Sequence, residues 1–176
     1  MSPLNIFLII TLALLLTFAK SDLAANKEES LVNPTLTPTV TSTPTPTPTP
    51  PISQPSYFSI PKIQVTAPVI SVGTDAYGKM ELPSDINTVG WFEPGFKPGE
   101  KGNAVIAGHL DAATGAGAIF YNLGLLEPGD ELYITDVTGK VSTFIVTNKQ
   151  IFPFDQVPMD EVFGSSDAKR HNLITC

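Results

Sequence analysis

The sequence predicts an all-β, barrel-like domain, entered through an N-terminal hydrophobic helix and a disordered Pro/Thr linker. Three observations carry this expectation. From Tyr57 to Cys176, short runs of β-branched and aromatic residues are broken by Gly, Pro, Asn and Asp, the pattern of many short strands. Helical periodicity is scarce there, confined to a turn or two near 118–125 and 159–163. The chain ahead of Tyr57 is built from two segments that cannot contribute to such a core, one purely apolar and one rich in proline.

The apolar segment, Leu4 to Ala19, reads LNIFLIITLALLLTFA without a polar face. It is long for the core of a signal peptide and slightly short for a comfortable bilayer span. Small residues follow at Ser21, Ala24 and Ala25 and would support cleavage. Residues 1–20 therefore read as a signal peptide or a membrane anchor, with the uncleaved anchor favoured. Either way the domain is expected outside the cytoplasm, membrane-tethered or secreted. Residues 21–56 form the linker, with an alternating Thr-Pro tract from Thr43 to Pro50. Proline removes backbone donors and fixes φ, so neither helix nor sheet forms there. The spacer is expected to run to Pro55 without tertiary contacts, extended by about 3 Å per residue.

Residues 57–176 then read as a single domain of about 120 residues, enough to bury a core without disulfides. Ser59–Val65 alternates apolar and polar as a half-buried strand does, and Ala67–Val72 follows with Pro68 suggesting a strand edge or start. Asn103–Ala107, leading to Gly108-His109, reads as a buried strand. Glu131–Thr135 and Val141–Thr147 flank Asp136-Val137-Thr138-Gly139-Lys140, a hairpin signal. Asn172–Cys176 looks like the start of a last strand, and Arg170 and His171 read as loop residues ahead of it.

The net charge of −7 and the lack of a Lys/Arg cluster argue against nucleic-acid binding and against docking on anionic lipid. Two histidines and one cysteine without paired spacing make no zinc site, no Gly-rich loop cradles phosphate, and no cofactor is implied. Cys176 is the single thiol, so an internal disulfide framework is impossible and the residue is incidental, intermolecular or reactive. A cysteine nucleophile needs an imidazole nearby. His109 ends one apolar strand and Cys176 another, 67 positions on, so the two can meet only if those strands lie close together in one sheet. Spacing alone leaves the pair open.

The ordered set of motifs adds to it. Ile60-Pro61-Lys62-Ile63 with Ala67-Pro68-Val69, Thr88-Val89-Gly90-Trp91-Phe92, and Gly102-Asn103-Ala104-Val105-Ile106-Ala107-Gly108-His109-Leu110-Asp111 are followed by Ile119-Phe120-Tyr121-Asn122-Leu123, Leu126-Glu127-Pro128-Gly129-Asp130-Glu131 and Leu173-Ile174-Thr175-Cys176. This stretch resembles a sortase catalytic domain, most of all the class F branch. The resemblance implies a cysteine transpeptidase that cleaves an LPxTG-like sorting signal between Thr and Gly and passes the acyl group to an amine. That acceptor would be a peptidoglycan cross-bridge, a pilin lysine or, in hydrolysis, water. It also implies Cys176 as nucleophile and His109 as general acid, with Thr175 a candidate substrate contact and Asp111 a candidate support for the imidazole. The family places an arginine on the strand after the cysteine. The sequence ends at Cys176 and its one arginine, Arg170, lies upstream, so the resemblance predicts a domain truncated just after the nucleophile and impaired as it stands. Two other readings remain: another exported Cys/His acyl-transfer enzyme such as an L,D-transpeptidase, or a stalked surface-binding domain or inactive fragment with an incidental thiol. In L,D-transpeptidases histidine and cysteine lie within one compact motif, which the 67-residue gap does not match.

Overall fold

The computed structural model describes residues 6–14, for which the backbone alone is considered, and residues 51–175. The Thr-Pro tract and Cys176 lie outside the described residues. Among the described residues there are eight strands: β1 (Ile6–Leu14), β2 (Pro55–Ile60), β3 (Val65–Val72), β4 (Val89–Phe92), β5 (Gly102–Ala107), β6 (Glu131–Asp136), β7 (Val141–Pro153) and β8 (Lys169–Thr175). A five-residue helix, α1 (Met159–Phe163), lies on the β7–β8 connection, where the sequence predicts a helical turn. Near 118–125 only a 3-10 turn forms, at Leu123–Leu125.

Strands β2 to β8 curl into a nearly closed barrel in the order β7-β6-β2-β3-β4-β5-β8. The pairs β3–β4 and β5–β8 are parallel and the remaining pairs antiparallel. Inward-facing Phe58, Ile60, Trp91, Ile106, Phe120, Leu132, Phe144 and Leu173 make one continuous core. Because side chains alternate along a strand, the opposite face of β5 and β8 carries a second, smaller apolar cluster of Val105, Ala107 and Ile174 outside the barrel, packed against Val162 of α1.

One seam of this barrel, between β7 and β8, is not sealed by direct pairing. Strand β1 lies in it, antiparallel to both edges, with Leu14 opposite Phe144 and Leu8 opposite Thr175. Hydropathy suggested a helix for this segment; the structure has a strand. The physical reason is the pair of flanking edges, whose unsatisfied N–H and C=O groups accept any apolar segment that can extend. Among the described residues, no helix is long and apolar enough to cross a membrane.

Three further differences have local causes. The expected strand Ser59–Val65 is broken at Pro61–Ile63 by a 3-10 turn, and Gln64 takes φ 56° to start β3. Pro68 sits inside β3 rather than at its start. It is tolerated because Val65–Pro68 pair with β2 on one side, while pairing with β4 on the other begins only at Val69. The ordered domain also begins slightly ahead of Tyr57. The carbonyl of Gln54 accepts the Val137 N–H at 3.0 Å and buried Pro55 is the first residue of β2, so the contact-free spacer does not reach Pro55. The β6–β7 hairpin forms where expected. Asp136 accepts the N–H groups of Thr138 and Lys140 at 2.8 and 3.0 Å, and Gly139 supplies the positive φ the turn requires.

Candidate active site

Strands β5 and β8 run side by side and parallel, and their C-terminal ends bring Gly108, which precedes His109, beside Thr175. Gly102 is opposite Lys169 and Ala107 opposite Ile174. Beyond the last paired residues the contact continues: Gly108 N–H donates to the Ile174 carbonyl at 3.1 Å, and the Thr175 hydroxyl donates to the Gly108 carbonyl at 2.8 Å. Thr175, the residue before Cys176, is thus bonded to the residue before His109. It is buried and its hydroxyl is used structurally, and it also lines the groove described below.

Glycine at 108 is dictated by this packing. A Cβ there would come within 2.6 Å of the ring of Phe120, which is wholly buried and cannot move aside. Phe120 in turn donates its N–H to the His109 carbonyl at 2.9 Å, so the backbone on both sides of the imidazole is held. The His109 ring is half-buried and its Nε2 lies 2.7 Å from the carbonyl of Pro83. A carbonyl only accepts, so Nε2 carries the hydrogen and Nδ1 is left for chemistry.

Asp111 is exposed and closes a small hairpin through a backbone bridge with Gly117. Among the described residues it makes no hydrogen bond to His109; the Pro83 carbonyl takes that place. The segment after Pro83 is itself braced. Asp85 accepts the Thr88 hydroxyl at 2.7 Å and the Asn87 N–H at 3.1 Å, and these bonds, with a smaller contribution from His109, hold its carboxyl below the usual carboxylate range. Sequence reading missed this support because a backbone carbonyl leaves no residue-type signature.

An apolar groove of about 740 Å³ opens on the outer face of the β5 and β8 ends. Ala107, Ile174 and Thr175 form its floor, the β3–β4 connection (Thr74, Met80, Leu82) one wall, and the β7–β8 connection (Met159, Phe163, Gly164) the other. Lys79 and Phe154 meet between the walls, with the ammonium 5.4 Å from the ring centre. Lys79 and Asp160 are the charged residues of its lining. The groove therefore suits an extended, mainly apolar segment, and it ends at the residue preceding the thiol.

Arg170 and His171 are strand residues of β8, not loop residues. Arg170 is exposed and paired opposite Asn103 at the far end of the strand from Thr175, about 17 Å away along an extended chain. His171 points into the barrel, fully buried against Phe144, ring centres 5.4 Å apart, and among the described residues neither ring nitrogen has a hydrogen-bond partner. Neither residue reaches the groove. Among the described residues no group of His, Cys, Asp and Glu could hold a metal ion.

The barrel's parallel strand pair sets His109 beside Thr175, which precedes the single cysteine in sequence and lines an apolar groove, an arrangement suited to cysteine acyl transfer. The sortase-domain family model matches residues 58–176, and the chain belongs to the sortase family, whose members are cysteine transpeptidases acting on the sorting signals of surface proteins. Among solved structures, it is similar to a lid mutant of sortase A from Corynebacterium diphtheriae, 25% identical with a TM-score of 0.53 over 68% of this chain and 59% of that one. It is equally similar to sortase C-1 from Actinomyces oris, at 25% identity and a TM-score of 0.53 over 68% and 62% of the two chains. Sortase C-1 from Streptococcus pneumoniae, at 24% identity and a TM-score of 0.53 over 69% and 57%, shares the fold. The chain thus spans about 60% of the length of the solved sortases it matches. No curated protein matches it.

Proposed function

We propose that this chain is a class F-like sortase that cleaves an LPxTG-like signal between Thr and Gly. The Cys176 thiolate, ion-paired with a His109 ring protonated on both nitrogens, attacks the threonine carbonyl carbon, the C–N bond to glycine breaks, and His109 gives its Nδ1 proton to the departing amine. An incoming amine then attacks the thioester, loses its proton to His109, and releases the thiolate. The acceptor is a cell-wall cross-bridge or pilin lysine, with water as the hydrolytic default. The enzyme acts outside the cytoplasmic membrane.

The observation that carries this reading is the parallel register of β5 and β8. Every paired residue differs by 67 positions, as Ala107 and Ile174 do, and 67 is also the separation of His109 and Cys176 in sequence. The test is to trap the acyl-enzyme. Incubation with an LPxTG peptide is expected to give a thioester on Cys176, seen by mass spectrometry and absent in Cys176→Ala. Peptide cleavage by Cys176→Ala at the wild-type rate would refute the mechanism.

A further inference from the structure

The two walls of the groove are held in different ways. The β3–β4 wall is a surface hairpin closed by its own turn: Asp75 N–H donates to the Lys79 carbonyl at 2.8 Å, and the Asp75 carboxylate takes the Tyr77 and Lys79 N–H groups at 2.8 and 2.9 Å. The opposite wall is built on α1, which has five residues, far too few to persist by its own hydrogen bonds. Its last carbonyls face the sheet and need donors. Two asparagines supply them. Asn172 of β8 donates its side-chain amide to the Val162 carbonyl at 2.8 Å and to the Glu161 carbonyl at 3.3 Å. Asn103 of β5 donates to the Gly164 carbonyl at 2.8 Å.

Both side chains are almost wholly buried, with 3% of Asn103 and 1% of Asn172 exposed, and both leave Oδ1 without a partner among the described residues. That combination is costly, and turning either amide over would set oxygen against carbonyl oxygen. The donors are therefore what these positions require. The two residues lie on the outward face of neighbouring strands, the face that continues through Val105, Ala107 and Ile174 to the groove floor.

We propose that Asn103 and Asn172 are positioning residues that clamp the α1 wall of the groove to strands β5 and β8, which lead in sequence to His109 and Cys176, so that peptide affinity depends on two buried amides that touch no substrate. This rests on the sortase reading of the groove. Asn103→Asp and Asn172→Asp keep the side-chain shape and replace the donor by an acceptor, and Asn172→Ala guards against misfolding of the charged variants. By hydrogen exchange, the amides of Glu161, Val162 and Gly164 are expected to exchange about tenfold faster or more in each variant, as for a lost buried hydrogen bond, with β2 and β6 unchanged. With a sorting peptide, KM is expected to rise about tenfold while kcat stays within about twofold, the signature of lost uniform binding. Unchanged exchange over 158–165, exchange accelerated throughout the barrel, or a faster-exchanging α1 with unaltered KM would each overturn the proposal. If the wild-type chain neither binds nor cleaves sorting peptides, the functional reading fails. Exchange confined to the α1 segment would then still support the clamp, and its absence would still overturn it.

Discussion

Replacing His109 by alanine is expected to slow acylation of Cys176 by about 10²–10⁴-fold, the usual contribution of a positioned general acid. The structure makes the test sharper than a simple deletion. The ring is fixed by Nε2–H donating to the Pro83 carbonyl, so the proton delivered to the leaving amine comes from Nδ1. His109→Gln can keep a donor directed at Pro83 but cannot transfer a proton, so it is expected to be as slow as His109→Ala. A substrate in which a thioester replaces the scissile amide expels a thiolate that needs no proton. With that substrate both variants are expected to recover most of the lost rate. Wild-type rates on the amide peptide in either variant would show that His109 is not the acid. Equal deficits on both substrates would mean that the histidine acts before the leaving group departs, through the thiolate itself.

Most of the barrel could be read from the sequence because its strands obey local rules. The six residues of β5 are all buried and read as an apolar run, and the β6–β7 turn is written in Asp136 and Gly139. The break at Pro61–Ile63 is marked in the sequence only by a change of phase, Ile60 and Ile63 lying three residues apart, and the left-handed Gln64 then turns the chain into β3. The placement of Ile6–Leu14 was hidden for a different reason. An apolar run satisfies a lipid span and a barrel seam equally well, and the choice lies in backbone partners on β7 and β8 that are remote in sequence.

The site divides in the same way. His109 was legible because it ends an apolar strand and stands in an ordered set of motifs, and the neighbouring strand was legible through Thr175 and its apolar predecessors. Pro83, whose main-chain oxygen holds the imidazole, gave no signal. Asn103 and Asn172 did carry one: asparagine is disfavoured in strands, so two of them inside apolar β5 and β8 point to buried side-chain hydrogen bonds. His171 carried a similar one, and its reading as a loop residue overlooked the apolar residues that follow it at the spacing of a strand.

The barrel is expected to be acid-labile through His171. Burial without a partner pushes its pKa from 6.5 down to about 3, because the interior beside Phe144 offers nothing to solvate an imidazolium. Above pH 6.5 the ring is neutral in both folded and unfolded chains, and stability does not depend on it. As the pH falls below 6.5 the unfolded chain takes up a proton that the folded barrel refuses. Stability is then lost at up to about 1.4 kcal/mol per pH unit until the folded ring itself titrates near pH 3. Between pH 7 and pH 5 the loss amounts to about 2 kcal/mol, and over the whole window it is bounded by about 5 kcal/mol. Asp85 and Asp136 have lowered carboxyl pKa values, so their stabilisation is lost only as pH falls through the carboxylate range, below the interval from pH 7 to pH 5. His171→Phe keeps a ring against Phe144, removes two unpaired buried nitrogens, and cannot charge. Denaturant titrations at pH 7 and pH 5 are expected to show about 2 kcal/mol less stability at pH 5 for wild type and a nearly flat response for His171→Phe. An equal slope in both proteins would mean that another group takes up the proton and that His171 is solvated in the folded state.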